Sequence, residues 1–453
     1  MFGGIILKQI RSLWRENRSE ILSIFTIALP TIVDMFVQTL LGFFDLIMVG
    51  RLGPEAIASV GLGTAPILTV IPIFFAISVG TTAMVSRAFG AKNYNEAKEG
   101  MSQSLILGVP AAFIVTFIFI IFGKNILGII SKNQPITDAL SYLKVVSLGI
   151  PFLCFNIIFS YGFRSINKAK IPMINNTISI FSNILLNYIF IFVLNLGVFG
   201  AGVATTISRG IVTLIFSFLI IYKKNYCIAL SKKDFKINKE ICRRLLKVGL
   251  PSAGEQGIFR IGMLIFEAMV INLGTLQYAA HKIALTAESF SFNLGLGFSV
   301  AGTALVGQHL GAKQYQEAKK AGYLNMFLAM GVMTAFGFIF MIFPKFVISM
   351  FTKEQSIVPM ASSALRIVSI AQPILAVSMV LSGALRGAGD TKSVLWITSI
   401  GMFLVRIPLT YLFLYVFNFG LNGAWMVMIV DLTYRGLACL YRFRQGKWRY
   451  IEV

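Results

Sequence analysis

The sequence has few of the polar residues that catalytic and metal sites use. Of its 453 residues, 13% are charged, two are histidines, four are cysteines, and 18 acidic residues face 40 basic ones. The cysteines show no CxxC spacing, and neither a nucleophile with its base nor a phosphate-binding loop appears at a usable spacing. These absences argue against an enzyme, a zinc site or a disulfide framework, and we expect no cofactor.

Apolar sequence, in contrast, is abundant. Hydrophobic residues make up 57% of the chain, and uncharged runs approach the roughly 20 residues that a helix needs to cross a bilayer. We therefore predict an all-α integral membrane protein with twelve transmembrane helices. The predicted spans are 22–46, 55–80, 100–122, 136–159, 172–194, 198–222, 246–271, 277–301, 322–343, 357–382, 394–417 and 421–441.

Basic residues are distributed unevenly between the loops. One set of loops and ends, which includes Lys8, Arg11 and Arg15, holds 28 of them, whereas the opposite loops hold five. Because Lys and Arg near short loops stay in the cytoplasm, both termini are predicted to be cytoplasmic in a multi-pass inner-membrane protein. The basic residues of the cytoplasmic loops also account for the net charge of +22. We therefore expect the lipid bilayer as a partner and no nucleic acid.

A long segment occurs twice. Residues 82–98 and 303–319 are identical at ten of seventeen positions, at an offset of 221 that drifts later to 222 and 223. The same offset relates Asp34 to Glu255 and Arg164 to Arg386. Each half has six spans, and an even number of crossings returns the chain to the side of the membrane on which it began. Both halves therefore start on the same side, so the repeat is parallel and its pseudo-twofold axis lies along the membrane normal. This is a transporter architecture.

The repeat predicts the domain boundaries. Residues 1–222 form an N-terminal six-helix lobe, 223–245 a basic cytoplasmic linker, 246–441 a C-terminal six-helix lobe, and 442–453 a cytoplasmic tail. Alternating access between the lobes follows as a hypothesis, and we expect the protein to act as a monomer.

Ionisable residues inside the spans are the candidate site residues, because a charge in the hydrocarbon is unfavourable unless it lines water, forms a pair or moves ions. Asp34, Gln38 and Asp45 fall on one stripe of the first span. Asp34 could instead satisfy backbone groups freed by Pro30, and Asp45 could snorkel near Arg51. In the second half, Glu255 matches the depth of Asp34.

The seventh and eighth spans add further candidates. Arg260 and Glu267 lie seven residues apart, as do His281 and Glu288. Arg260 and Glu267 could form an internal ion pair, whereas Glu288 has no evident partner in its own span. Asp431 and Arg435, at i and i+4, favour a structural pair. We predict a substrate cavity lined by Asp34, Gln38, Arg260, Glu267 and His281.

Uncharged oxygens accompany the first-span carboxylate. Asn183, Asn187 and Thr205 lie in the fifth and sixth spans, where such side chains either ligate a cation or join helices by hydrogen bonds. We predict that cation coupling involves Asp45, Asn183, Asn187, Thr205, Glu255 and Glu288, with a possible Na⁺ site at Asp45, Asn183 and Thr205.

Several motifs resemble the MATE (multidrug and toxic compound extrusion) family over nearly the whole chain. They are Leu29-Pro30, Phe44-Asp45-Leu-Ile-Met-Val-Gly50, Ser86-Arg-Ala-Phe-Gly-Ala-Lys92, Asn183-Ile-Leu-Leu-Asn187, Gly200-Ala-Gly-Val-Ala-Thr205, Ala279-Ala-His281 and Gly383-Ala-Leu-Arg-Gly387.

The resemblance implies a two-lobe antiporter that exports organic, often cationic or amphipathic small molecules in exchange for H⁺ or Na⁺. It places Asp45 at the functional first-span aspartate and Asn183 and Thr205 in the N-lobe cation site. Asn187 stands where some members have a further acid, and Phe259 and Leu375 where a Na⁺-linked branch has acids; Glu288 matches an acidic position of many relatives.

Two other interpretations fit the spans less well. A flippase for a lipid-linked oligosaccharide or cell-wall precursor would share the architecture, but it would favour a cationic cavity for the pyrophosphate, whereas the candidates here are mostly acidic. A membrane receptor is disfavoured by the duplication and the short soluble segments.

Overall fold

The computed structural model describes residues 17–131, 136–222 and 226–451, which are helical with no strand among them. The basic residues Lys8, Arg11 and Arg15, the linker start 223–225 and the tail end 452–453 lie outside this range. The helices are α1 (Arg18–Gly50), α2 (Pro54–Gly90), α3 (Tyr94–Ser131), α4 (Thr137–Leu148), α5 (Ile150–Ser165), α6 (Lys170–Asn187), α7 (Gly197–Tyr222), α8 (Lys239–Ile271), α9 (Thr275–Gly311), α10 (Tyr315–Ile342), α11 (Pro344–Ser349), α12 (Val358–Ser369), α13 (Gln372–Gly387), α14 (Thr391–Ile400), α15 (Ile407–Tyr411) and α16 (Gly420–Gln445). Turns of 3₁₀-helix lie at Lys232–Asp234 and Lys447–Tyr450, and π-helical segments at Tyr188–Val193, Gly401–Arg406 and Leu412–Val416.

The helices are long and apolar enough to cross a membrane. In the described part of the chain, nine spans qualify by length and composition, or eleven if each of two bent helix pairs counts as one. The pairs are α4 with α5, bent by 47°, and α12 with α13, bent by 59°. Helix α8 is also 33 residues long but carries more charge. Together these elements form the all-α membrane fold expected from the sequence.

Helix α8 begins at Lys239, inside the segment predicted as a linker. The reason is a local cap: Asn238 Oδ1 accepts hydrogen bonds from the backbone N–H groups of Glu240 (3.1 Å) and Ile241 (3.4 Å). A side-chain acceptor at this position satisfies amides that have no partner within the first helical turn. The helix therefore starts before its apolar stretch does.

The duplication extends to the backbone conformation. Left-handed φ angles recur at equivalent positions of the two halves, at offsets of 221 to 223. The pairs are Gly53 (111°) with Gly274 (103°), Lys92 (57°) with Lys313 (60°), Asn167 (60°) with Gly389 (82°), and Asn195 (51°) with Asn418 (55°). The repeated Gly-Ala-Lys segments are turns between two helices, and the left-handed residue in each is the lysine. Each half thus changes direction at the same places.

The π-helical segment Gly401–Arg406 explains the last step in the repeat offset, from 222 to 223. It lies in the second half between α14 and α15, and no π segment stands between α6 and Tyr188–Val193 in the first half. A π turn closes i→i+5 hydrogen bonds and so holds one more residue than an α turn. The offset is 222 before it, where Asn176 matches Thr398, and 223 after it, where Asn195 matches Asn418.

By packing, the chain divides into two compact units. One, here the N unit, is Val33–Ala253; the other, the C unit, is Met1–Ile32 with Gly254–Glu452. The division differs from the boundaries predicted from the repeat because it falls inside α1 and inside α8, at positions 221 residues apart. In both helices it follows a proline, Pro30 or Pro251.

Within each unit, small residues allow helices to cross closely. In the N unit, a Cβ at Gly249 of α8 would lie 2.7 Å from the Ala76 carbonyl oxygen of α2. In the C unit, a Cβ at Gly297 of α9 would lie 3.1 Å from the Ala28 carbonyl oxygen of α1. The two crossings use equivalent positions, with glycine on opposite partners, because close approach of two backbones leaves no room for a larger side chain.

Candidate functional site

The carboxylate of Asp45 belongs to a hydrogen-bonded network inside the N unit. Asn187 Nδ2 donates to Asp45 Oδ1 at 2.6 Å and to Asn183 Oδ1 at 3.0 Å. Asn183 Nδ2 in turn lies 3.4 Å from Thr205 Oγ1 and 3.4 Å from Ser208 Oγ. Asn183 and Asn187 are buried, with exposed fractions of 2% and 1%. The structure therefore joins the four N-unit residues that were predicted for cation coupling, Asp45, Asn183, Asn187 and Thr205.

Two of the three polar residues predicted on one face of α1, Asp34 and Asp45, contact residues of α6 at the same sequence separation. Asn176 Nδ2 contacts both oxygens of Asp34, at 2.9 and 3.1 Å, and Asn187 contacts Asp45, each 142 residues further along the chain. A constant offset means that the two helices run in the same direction. Gln38, between the two acids, is exposed in the structure, so the two aspartates and not the whole stripe face α6.

Asp34 is also ion-paired. Arg164 Nη2, at the end of α5, lies 2.5 Å from Asp34 Oδ2, and the two side chains are 6% and 1% exposed. The carboxylate therefore accepts from one guanidinium and one amide, and helix α1 is held to α5 and α6 at this point. A buried charge is tolerated in such a setting because it is both paired and hydrogen-bonded.

The C unit contains the equivalent arrangement. Arg386 donates to both oxygens of Glu255, from Nη2 at 2.5 Å and from Nε at 3.1 Å, and Thr398 Oγ1 lies 3.5 Å from Glu255 Oε1. Glu255, Arg386 and Thr398 are the repeat counterparts of Asp34, Arg164 and Asn176. The duplicated feature is thus a three-residue network that joins the first, fourth and fifth spans of each half.

The remaining predicted residues belong to the C unit. Glu267 pairs with Lys282 at 2.7 Å and not with Arg260, which is exposed. His281 is fully buried between the Phe266 and Trp425 rings, at centroid distances of 5.8 and 5.7 Å. Glu288 is 7% exposed on α9.

The predicted i,i+4 pair of the last span is present. Arg435 Nε donates to Asp431 Oδ1 at 2.8 Å, and a second guanidinium, that of Arg406, reaches Asp431 Oδ2 at 2.8 Å. Arg406 lies at the end of the Gly401–Arg406 π segment, which no periodicity in the sequence indicated.

Sequence reasoning missed three residues around Asp45. Ser208 accepts from Asn183, as described above, and Arg209 and Tyr142 act electrostatically on the Asp45 carboxylate. An arginine in the middle of the apolar run 198–222 was a usable signal, since ionisable residues within a span face protein or water. Tyr142 gave no comparable signal, because tyrosine is common in membrane helices.

The described residues contain no cluster of side chains typical of a metal site. Within residues 17–131, 136–222 and 226–451, no group of three or more His, Cys, Asp or Glu side chains is placed to hold an ion. Any cation at Asp45 would have to use one carboxylate and neutral oxygens, the ligand type that hard cations accept.

The two halves of the chain each match one family. The sequence profile described as MatE matches residues 30–189 and again residues 251–412. The chain belongs to the MATE family. It is therefore a multi-pass membrane transporter and not an enzyme, and the resemblance inferred from the motifs is confirmed.

Relatives and solved structures agree over nearly the full length. The chain is 30% identical to the probable multidrug resistance protein NorM of Thermotoga maritima, covering 96% of this chain and 93% of that one. It is 28% identical to the uncharacterized transporter YisQ of Bacillus subtilis, with 96% of both chains covered. Its fold is similar, at a TM-score of 0.87, to an outward-facing multidrug resistance MATE family transporter of the MOP superfamily, which is 25% identical over 94% of this chain and 95% of that one. A MATE protein in a bent conformation gives the same TM-score and identity, with 94% of both chains covered.

Proposed function

We propose that this MATE transporter exports organic, often cationic or amphipathic compounds across the cytoplasmic membrane in exchange for protons, and that Asp45 is the proton-exchanging group. The cargo class is supported by the similarity to the Thermotoga maritima protein named as a probable multidrug resistance protein and to the Yersinia pseudotuberculosis multidrug resistance protein MdtK, which is 25% identical. The membrane orientation, with both termini in the cytoplasm, rests on the distribution of basic residues between loops.

A single observation carries the coupling proposal: Asp45 is the one carboxylate in a network of amides and hydroxyls, held at 2.6 Å by Asn187. A proton changes the charge of this network from negative to neutral, which alters every interaction that the carboxylate makes in a setting of low dielectric. Cargo with a positive charge then competes with the proton for the same oxygen atoms.

The same network favours a proton over Na⁺. Sodium is held by several oxygens with enough negative charge to replace its hydration shell. Here Asn187 contributes an N–H group to Asp45 instead of a second carboxylate, and the Arg209 guanidinium acts on the same carboxylate. Na⁺, which would be held by electrostatic attraction alone, is repelled by that guanidinium, whereas a proton forms a covalent bond with the carboxylate oxygen.

Exchange follows if the two access states differ in their affinity for the proton. A ligand shifts a conformational equilibrium only by its differential affinity for the two states, and about 5.5 kcal/mol would move it from 1:99 to 99:1. Protonation of Asp45 in one state and cargo binding in the other supplies such a difference. Glu255 and Asp34, which are ion-paired within their units, are assigned to holding helices in place in this proposal, and Glu288 to a secondary role.

Ethidium transport in proteoliposomes tests the proposal when a proton gradient and a Na⁺ gradient are imposed separately on the parent protein. We expect the proton gradient to drive transport and the Na⁺ gradient to have no effect. Transport under the Na⁺ gradient alone would instead support ligation by Asp45, Asn183 and Thr205. Transport under neither gradient would contradict the export of organic cations by this mechanism.

A further inference from the structure

The C unit has a counterpart of the Asp45 network, and its polarity is reversed. The repeat offsets, 221 at the first span and 223 after the π segment, relate three members of the network to three residues of the C unit. They are Asp45 with Phe266, Asn183 with Arg406, and Ser208 with Asp431. An acid is replaced by an aromatic ring and a neutral amide by a guanidinium.

One pair of counterparts is in contact in both units. Asn183 reaches Ser208 in the N unit, and Arg406 reaches Asp431 at 2.8 Å in the C unit. The Arg406 guanidinium also lies over the Phe266 ring, 5.6 Å from its centroid. A second guanidinium, that of Arg435, completes the group at 2.8 Å from Asp431.

This group of Arg406, Asp431 and Arg435, here the arginine cluster, is buried and has unused donors. Its members are 3%, 0% and 7% exposed. Among the residues that the structure describes, Arg406 Nε and Arg435 Nη2 have no hydrogen-bond acceptor. A buried donor without an acceptor costs about 1–3 kcal/mol, and more when it is charged. Such groups in a native protein require an explanation.

The atoms next to the arginine cluster are poor acceptors for these donors, and Asp431 Oδ2, although 2.8 Å from Arg406 Nη2, makes no aligned hydrogen bond. Arg406 Nη1 faces the Met263 sulfur at 3.2 Å, and Arg435 lies 5.4 Å from the Phe259 ring centroid. Two guanidinium groups and one carboxylate give the cluster a formal charge of +1.

Glu288 is the acidic group outside the cluster that acts on Arg406, and His281, Tyr434 and Cys439 also interact electrostatically with cluster members. Glu288 lies on α9, and its interaction with Arg406 is electrostatic. When its carboxyl is ionised, it balances the charge of the cluster, and when it is neutral the charge of +1 remains. An anion and the Glu288 charge should therefore oppose each other.

We propose that the arginine cluster is an anion-binding site inside the C unit, which takes one compact monoanion, either a halide or a carboxylate group. Its donors are Arg406 Nε and Arg435 Nη2, since charge-assisted hydrogen bonds from guanidinium groups are the strongest that a protein offers to such anions. The site adds to the transporter a recognition function of opposite sign to that of Asp45. A bound halide or carboxylate group is held within the C unit.

Binding of radiolabelled chloride to the purified protein in detergent tests this site without requiring transport. The medium contains gluconate as the bulky background anion, and unlabelled chloride and acetate serve as competitors. We expect saturable binding that Arg435→Gln weakens by about tenfold or more, as the loss of one charge-assisted hydrogen bond predicts. Glu288→Gln should strengthen it, since a negative charge near Arg406 is removed. Arg442→Gln is the matched control, because Arg442 is in the same unit but pairs with Asp390, and it should leave binding unchanged.

The competitors distinguish the two sources of the anion. Displacement of chloride by acetate assigns the site to carboxylate groups as well as halides, and displacement by chloride alone assigns it to halides. The proposal is overturned if no saturable binding occurs, or if Arg435→Gln and Glu288→Gln both bind like the parent. Because Glu288→Gln is expected to raise the affinity, a poorly folded variant cannot imitate that result. Failure here would leave proton coupling at Asp45 unaffected.

Discussion

Arg386 donates to both carboxylate oxygens of Glu255, from Nη2 at 2.5 Å and from Nε at 3.1 Å. This geometry matches a fork of two N–H groups to a fork of two oxygens, which fixes the orientation as well as the distance. The repeat counterpart, Arg164 with Asp34, pairs at 2.5 Å in the other unit. The pair is present in both halves although the residues around it have diverged. This indicates that the repeated fold requires it.

Removing one partner of this pair should destabilise the protein strongly. Glu255→Gln eliminates the negative charge that faces Arg386, whose side chain is 14% exposed, and breaking a buried pair costs about 3–5 kcal/mol. We expect a clear fall in the melting temperature of the purified protein in detergent. Glu317→Gln is the control, because Glu317 and Lys320 are about half exposed and lie 3.8 Å apart, where a pair contributes about 0–1 kcal/mol. An unchanged melting temperature in Glu255→Gln would show that the pair does not hold α8.

Asn187→Asp should change the coupling ion. The variant places a second carboxylate against Asp45, which lies 2.6 Å from the present amide, and two adjacent carboxylates attract a cation or share a proton. Ethidium transport in proteoliposomes is expected to gain a dependence on the Na⁺ gradient.

Asn176→Asp is the matched control for this change, since Asn176 contacts Asp34 on the same helix, eleven residues earlier, beside the Arg164 guanidinium. It should not confer Na⁺ dependence. If Asn187→Asp also transports without any response to Na⁺, the missing acid is not what selects the proton.

Gly383→Ala should weaken the packing of α13 on α9. A Cβ at Gly383 would collide with the Ser299 backbone carbonyl of α9, which cannot move aside as a flexible side chain can. Overpacking of this kind costs about 1–3 kcal/mol, so a lower melting temperature is expected. Gly331→Ala on α10 is the control, because nothing lies within 4 Å of its added Cβ, and alanine is the better helix former. Equal melting temperatures for the two variants would contradict the close crossing.

The sequence predicted most of what is local or repeated. The twelve apolar spans, the parallel duplication and the Asp431–Arg435 pair follow from periodicity and spacing, which single helices obey. The ion pair of Asp34 with Arg164 joins residues 130 positions apart, and nothing in the spacing of either helix specifies it. The repeat nevertheless contained the signal, because Asp34 and Arg164 both have charged counterparts in the second half.

Other features depend on tertiary packing and were not predictable. Glu267 pairs with Lys282 on the next helix and not with Arg260 on its own, since a helix positions residues seven apart on one face but does not decide which neighbour they meet. The π segment Gly401–Arg406 reorients Arg406 toward Asp431, and its only trace in the sequence is the offset change from 222 to 223. The boundary of the packing units inside α1 and α8 also required the structure.

Proton release on cargo binding tests the role of Asp45 most directly. Ethidium is added to the purified protein in weakly buffered detergent solution, and the protons released are measured with a pH indicator and normalised to bound ethidium. The parent should release protons, up to one per bound cation, and Asp45→Asn should release none, because the carboxylate that exchanges them is gone. Equal release by Asp45→Asn and the parent would contradict proton exchange at Asp45.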